Sequence, residues 1–165
     1  MNTLFTALRG LLHGTAFIAV WGWIELSVRT YDDAFPLQLP ASSEIFGVLL
    51  MTAGITLALL CLGFFAIRGR GTAAPFDPPR EFVAAGPYLY VRNPMYIGGW
   101  LMFLGFGLYE RSVSMTLFSI VWFLLAHLFV LYYEEPGLEK RYGESYLRYK
   151  KAVNRWIPHL IKRNE

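Results

Sequence analysis

"IFGVLLMTAGITLALLCLGFFAI", residues 45–67, is a run of 23 residues without a charge. A helix needs about 20 predominantly apolar residues to cross the hydrocarbon core of a bilayer, so this run predicts a membrane-spanning helix. On either side lie comparable stretches. Leu11 to Val28 precedes it, and Ser112 to Tyr133 follows, 22 residues with His127 as the one ionisable group other than tyrosine. Met95 to Tyr109 is also free of charge but shorter, and crosses only with little tilt, in thinned bilayer, or with help from the residues before it. Composition agrees: 55% hydrophobic, 17% aromatic and 16% charged residues in a chain of 165 leave too little polar surface for an ordinary soluble domain. The expectation is an all-α integral membrane protein, one domain over 1–165. It has about four transmembrane helices (about 11–28, 45–67, 95–109 and 112–133), a cytoplasmic re-entrant loop and a C-terminal amphipathic interfacial helix over about 136–156.

Basic residues give the orientation, because cytoplasmic segments near spans collect Lys and Arg. Four spans place both termini on one side, which then holds thirteen of the fifteen Lys and Arg residues, leaving Arg29 and Arg111 opposite. Both termini are therefore expected in the cytoplasm. The first apolar segment reads as a retained anchor, since its start carries only Arg9 and no small-x-small cleavage site follows Trp23. Cys61, the one cysteine, falls inside the second span, which excludes an intramolecular disulfide and a cysteine metal site; it reads as a small core hydrophobe.

"YERS" (109–112) makes a tight turn between the third and fourth spans. An antiparallel pair joined this way brings the start of one helix and the end of the next to the same membrane face. Two polar stretches should meet there: "GPYLYVRNPMYIGGW" (86–100) and "HLFVLYYEEPGLEKRYGESYLRYKKAVNRWIP" (127–158). In the first, Asn93 is a favoured N-cap and Pro94 a favoured first helical residue. The free N–H groups of that helix start, with Arg92 beside them, form a site for a carboxylate or phosphate. A plainer reading also fits: Asn-Pro as a helix-start signal, Arg92 reaching lipid headgroups, and Tyr88, Tyr90 and Tyr96 as an aromatic belt. In the second stretch, His127 and Glu134 are seven residues apart and share a helix face, with Glu135 close by. Ionisable groups in or near the membrane are costly and so are candidates for function. Carboxylates facing an arginine-bearing helix start make a clamp for a zwitterion. The plainer alternatives are a hydrogen-bonded helix contact for His127 and a solvated helix end for the glutamates.

From Pro136, the positions Leu138, Tyr142, Tyr146, Tyr149, Val153 and Trp156 recur at spacings of three and four, the stripe of an amphipathic helix. Lys140, Arg141, Arg148, Lys150, Lys151 and Arg155 fill much of the remainder, as suits a helix on an anionic leaflet. A nucleic-acid partner is disfavoured, because the stripe beside these cations wants a membrane or the protein's own core.

The two stretches in this order closely resemble the bacterial members of the isoprenylcysteine carboxyl methyltransferase family, which is related to membrane phospholipid methyltransferases. The resemblance covers about the last half of the chain, from Pro79. It implies methyl transfer from S-adenosylmethionine by a small helical enzyme of the membrane, here the bacterial inner membrane, acting on a lipophilic or lipid-like acceptor. The family's R-[HN]-P-x-Y signature falls on Arg92, Asn93, Pro94, Met95 and Tyr96. Its upstream aromatic falls on Tyr88, its cofactor-wall positions on about Phe82 and Val83, and its acidic cofactor contact on Glu134 with Glu135 beside it. The cofactor's methionine part is a zwitterion, which agrees with the clamp. Eukaryotic members carry histidine where this chain has Asn93 and a substrate-associated arginine where it has Val130, which speaks against prenylcysteine as acceptor. A carboxylate acceptor needs no base; for an amine or thiol, His127 or a glutamate is the candidate. The rival classes are a nicotinamide-dependent membrane reductase of related fold and a non-catalytic membrane scaffold.

Overall fold

The computed structural model describes residues 3–65, 67 and 84–158, and among these every regular element is helical. Helix α1 (Thr3–Val28) runs on into a 3-10 turn (Arg29–Ala34), and α2 spans Ser43–Phe64. After a 3-10 turn at Gly86–Leu89 come α3 (Pro94–Tyr109) and α4 (Val113–Phe129). A π turn (Val130–Glu134) leads into α5 (Glu135–Tyr142), and α6 (Glu144–Ala152) completes the described helices. Three stretches are long and apolar enough to cross a membrane: Leu8–Ala34, Ser43–Phe64 and Val113–Tyr142. With 16 residues, α3 is about 24 Å long against a hydrocarbon core of about 30 Å. The fourth crossing is therefore a proposal. So is the re-entrant loop, since residues 68–83 lie outside the described residues.

α3 packs along α2 through a seam of glycines. A Cβ on Gly54 would lie 2.5 Å from the Gly98 carbonyl oxygen, and one on Gly47 2.6 Å from that of Gly105. The reverse contacts, Gly98 to Gly54 and Gly105 to Gly47, are 2.9 and 2.7 Å. The two contacts lie seven residues apart along each helix, so the helices touch backbone to backbone over two turns. Close packing of this kind drives helix association in lipid, where apolar burial gives little advantage.

On the other side of α3 lies an aromatic core. Phe103, Trp122 and Ala126 are buried, with Ile18, Trp21, Trp100, Phe118 and Phe123 packed around them. Phe103 and Trp122 meet edge to face at 5.0 Å, and Trp21 reaches Trp122 from α1 at 6.3 Å. The turn between α3 and α4 is fixed from α1's extension. Asp32 accepts from the Ser114 backbone N–H (2.9 Å), the Ser114 hydroxyl (2.7 Å) and the Ser112 hydroxyl (3.0 Å), while Ser112 caps α4 by accepting from Met115 N–H. Glu25, inside α1, is fully buried, and neither of its carboxyl oxygens has a hydrogen-bond partner among the described residues.

The C-terminal helix differs from expectation. In place of one helix over about 136–156, the chain forms α5 and α6, broken at Gly143, whose φ of 53° and ψ of −132° leave the helical region. α6 stops at Ala152, and Val153 turns to extended backbone (φ −123°, ψ 129°). The cause is tertiary: the Asn154 carbonyl, which helix would commit elsewhere, accepts from Arg92 N–H at 2.8 Å. Residues 153–158 thus form a strap across the start of α3.

Candidate functional site

Three elements converge at one end of the bundle: the start of α3, the π turn with α5, and the strap. Pro94 opens α3, as its fixed φ favours. Asn93 stands at the cap position, yet its side chain caps nothing; its amide points to the strap, 3.5 Å from the Arg155 carbonyl. Among the described residues the first N–H groups of α3 have no side-chain cap. Arg92 beside them has only 9% of its side chain exposed. It donates to the Lys150 carbonyl at 2.8 Å and pairs with Glu135 at 3.0 Å, while its Nε has no hydrogen-bond partner among the described residues.

The adjacent glutamates have separate surroundings. Glu135 is held by the Arg155 fork at 2.7 and 2.9 Å, by Arg92, and by Lys150 at 3.3 Å. Its hydrogen bond to Arg155 raises the guanidinium pKa above its ordinary value; Lys150 is raised first by its bond to Glu139 and then by Glu135. Glu134 instead accepts from the Tyr96 hydroxyl at 2.6 Å. Successive residues of a helix point about 100° apart, so Glu134 faces Tyr96 on α3 while Glu135 faces Arg92, Lys150 and Arg155. Tyr88 is buried. Its phenol is pushed well above its ordinary pKa by burial, and its carbonyl accepts from Tyr149 at 2.7 Å.

His127 lies against the strap. The Trp156 indole N–H donates to its Nδ1 at 2.9 Å. A neutral imidazole that accepts at Nδ1 carries its proton on Nε2, so in this arrangement His127 has no free lone pair with which to act as a base. Trp156 also meets Phe123 at 4.8 Å and Tyr96 at 6.4 Å, so His127, Tyr96 and Glu134 border one aromatic enclosure.

Tyr88, Arg92, Asn93, Pro94, Met95, Tyr96, His127, Glu134 and Glu135 thus occupy one region of the fold, whereas Phe82 and Val83 lie outside the described residues. Sequence reasoning placed Trp156, Lys150 and Arg155 on an amphipathic stripe and its basic flank, not at the site. The usable signal was a tryptophan and an arginine side by side just before Pro158. Among the described residues no three His, Cys, Asp or Glu side chains gather as a metal site.

The phospholipid methyltransferase family profile matches residues 42–145, which include α2, α3, α4, the π turn and α5. A phosphatidylethanolamine N-methyltransferase of Scheffersomyces stipitis is 32% identical over 65 residues, 39% of this chain but 8% of that protein's length. An uncharacterized protein of Haemophilus influenzae is 33% identical over 63 residues, 38% of this chain and the whole of that protein. The resemblance carried by the paired motifs holds at the level of the family. α1, most of α6 and the strap fall outside the matched residues.

Proposed function

Since the chain belongs to the phospholipid methyltransferase family, a family of membrane methyltransferases, we propose that it moves a methyl group from S-adenosylmethionine to a small apolar or lipid-like acceptor at the cytoplasmic membrane interface. The observation that carries this reading is the Tyr96–Glu134 hydrogen bond, which aims a carboxylate from α4's extension at the start of α3. Uncapped N–H groups of α3 and the unpartnered Nε of Arg92 suit the carboxylate of a methionine zwitterion, and Glu134 suits its ammonium. Glu135 is already matched by three cations, so its part is to position Arg92.

When bound, S-adenosylmethionine supplies an activated sulfonium methyl. The chain's residues have to hold the partners in line and exclude water. Tyr96 and Trp156 offer aromatic faces that favour a cation. For an amine or thiol acceptor, Glu134 is the base the geometry leaves available, with Tyr96 steadying its carboxylate; a carboxylate acceptor needs none. On this reading the chain lies in a bacterial inner membrane with both termini in the cytoplasm, as the bias of Lys and Arg suggests.

Titration of the purified protein with S-adenosylmethionine and, separately, with reduced nicotinamide dinucleotide phosphate tests the reading. Saturable binding of the first alone is expected. Binding of the second alone would make the protein a reductase, and binding of neither would leave a scaffold.

A further inference from the structure

We propose that the outward face of α5 and α6 binds the headgroups of anionic phospholipids, and that lipid held there steadies the strap over the start of α3. Lys140, Arg141, Arg148 and Lys151 are all exposed. Among the described residues none of the four forms an ion pair; Arg141 lies over the Tyr142 ring. Against them the same face carries the Glu144 carboxylate, so the face is strongly positive. Exposed apolar side chains flank it: Leu147 on α6, Ile157 on the strap, and Tyr132 and Tyr133 at the end of the span. Cations beside exposed apolar and aromatic groups, at the end of a membrane helix, fit an anionic leaflet better than a free polyanion.

The opposite sides of the same two helices build the site. Glu135 and Tyr146 are buried, and Lys150 reaches from α6 back to Glu135 and Glu139. α5 is the last part of the helical stretch Val113–Tyr142, whereas α6, nine residues beyond the break at Gly143, is too short to be stable alone. Whatever holds their outer face therefore also holds Arg155 on Glu135 and Trp156 on His127. Each Lys or Arg near an anionic leaflet strengthens association roughly fivefold. The lipid surface stands on the exposed cations alone; its effect on the cofactor rests on the methyltransferase reading.

The test uses the full chain, as wild type and with Lys140→Gln, Arg141→Gln, Arg148→Gln and Lys151→Gln combined, and a second variant with only the last two changes in case the first folds poorly. Retention of phosphatidylglycerol against phosphatidylcholine is read by native mass spectrometry, and S-adenosylmethionine affinity in vesicles of phosphatidylcholine with and without phosphatidylglycerol. Wild type should retain phosphatidylglycerol preferentially, lose most of that preference in either variant, and bind the cofactor several-fold tighter in the anionic vesicles, the variants showing no such gain. Equal retention by wild type and variants overturns the surface. Displacement of the lipid by an RNA oligonucleotide or an acidic peptide at matched charge overturns the choice of lipid as occupant. Phosphatidylglycerol retention without any cofactor binding would keep the surface and refute the methyltransferase reading, whereas cofactor binding indifferent to lipid would refute only the coupling to the strap.

Discussion

Glu134 and Glu135 are neighbours in sequence that should fail in opposite ways when neutralised. In Glu135→Gln, the cations Arg92, Lys150 and Arg155 lose their shared carboxylate. Lys150 and Arg155, 35% and 22% exposed, can turn toward water, but Arg92 at 9% stays buried with its charge uncompensated. Breaking a buried pair from one side costs about 3 to 5 kcal/mol, and the partial exposure of two partners puts this case near 3. At about 2 to 4 °C per kcal/mol for a chain of this size, the melting temperature should fall by about 6 to 12 °C. In Glu134→Gln, the amide oxygen still accepts from Tyr96, so melting should move little. Loss of a charge-assisted bond to the cofactor's ammonium should cost about 1.5 to 3 kcal/mol, a roughly 10- to 150-fold weaker affinity for S-adenosylmethionine. Thermal unfolding in detergent and calorimetric titration read the two effects separately. The reverse pattern, with Glu134→Gln unstable and Glu135→Gln stable but unable to bind, would refute the division of labour between the two carboxylates.

The glycine seam makes a sharper claim about packing: Gly54→Ala should lower stability by about 1 to 3 kcal/mol, since its Cβ would meet backbone at 2.5 Å, whereas Gly63→Ala, with nothing within 4 Å among the described residues, should be neutral or mildly stabilising. Equal melting temperatures for both variants would remove the seam from the fold. His127→Asn should lower stability modestly through the lost bond from Trp156, with turnover per folded molecule close to wild type; a fall in turnover of about two to four orders of magnitude at unchanged stability would instead make His127 a base. For topology, cysteines at Ser42 and Ser145, both exposed, in a Cys61→Ala background should differ in intact cells. An impermeant thiol reagent should label the first directly and the second only after lysis, and labelling of both without lysis would contradict the proposed cytoplasmic site.

The long helices were legible in the sequence because hydrocarbon tolerates neither charges nor unpaired backbone, so each crossing must announce itself as an apolar run. The meeting of Arg92 and Tyr96 with the two glutamates was legible for a related reason, as a tight turn between two helices dictates which ends are neighbours. The features that escaped a reading of the sequence depend on partners distant in the chain. Gly47 and Gly54 reveal a seam only beside Gly98 and Gly105. α6 ends at Ala152 because Asn154 answers Arg92, 62 residues away, and no propensity near Trp156 records that. Which carboxylate meets Tyr96 and which meets Arg92, Lys150 and Arg155 is decided by elements that only the fold brings together. Glu25 lies within a run that passed as an apolar anchor, and its complete burial could not be inferred from its place in that run.

The most direct measurement supplies methyl-labelled S-adenosylmethionine to membranes containing the wild-type chain or Glu134→Gln and tracks label into the lipid-extractable fraction. Label should pass into a lipid-like product in wild-type membranes and fall at least tenfold with Glu134→Gln at subsaturating cofactor. Wild-type membranes that bind the cofactor yet place no label in extractable material would contradict methyl transfer to a lipid-like acceptor.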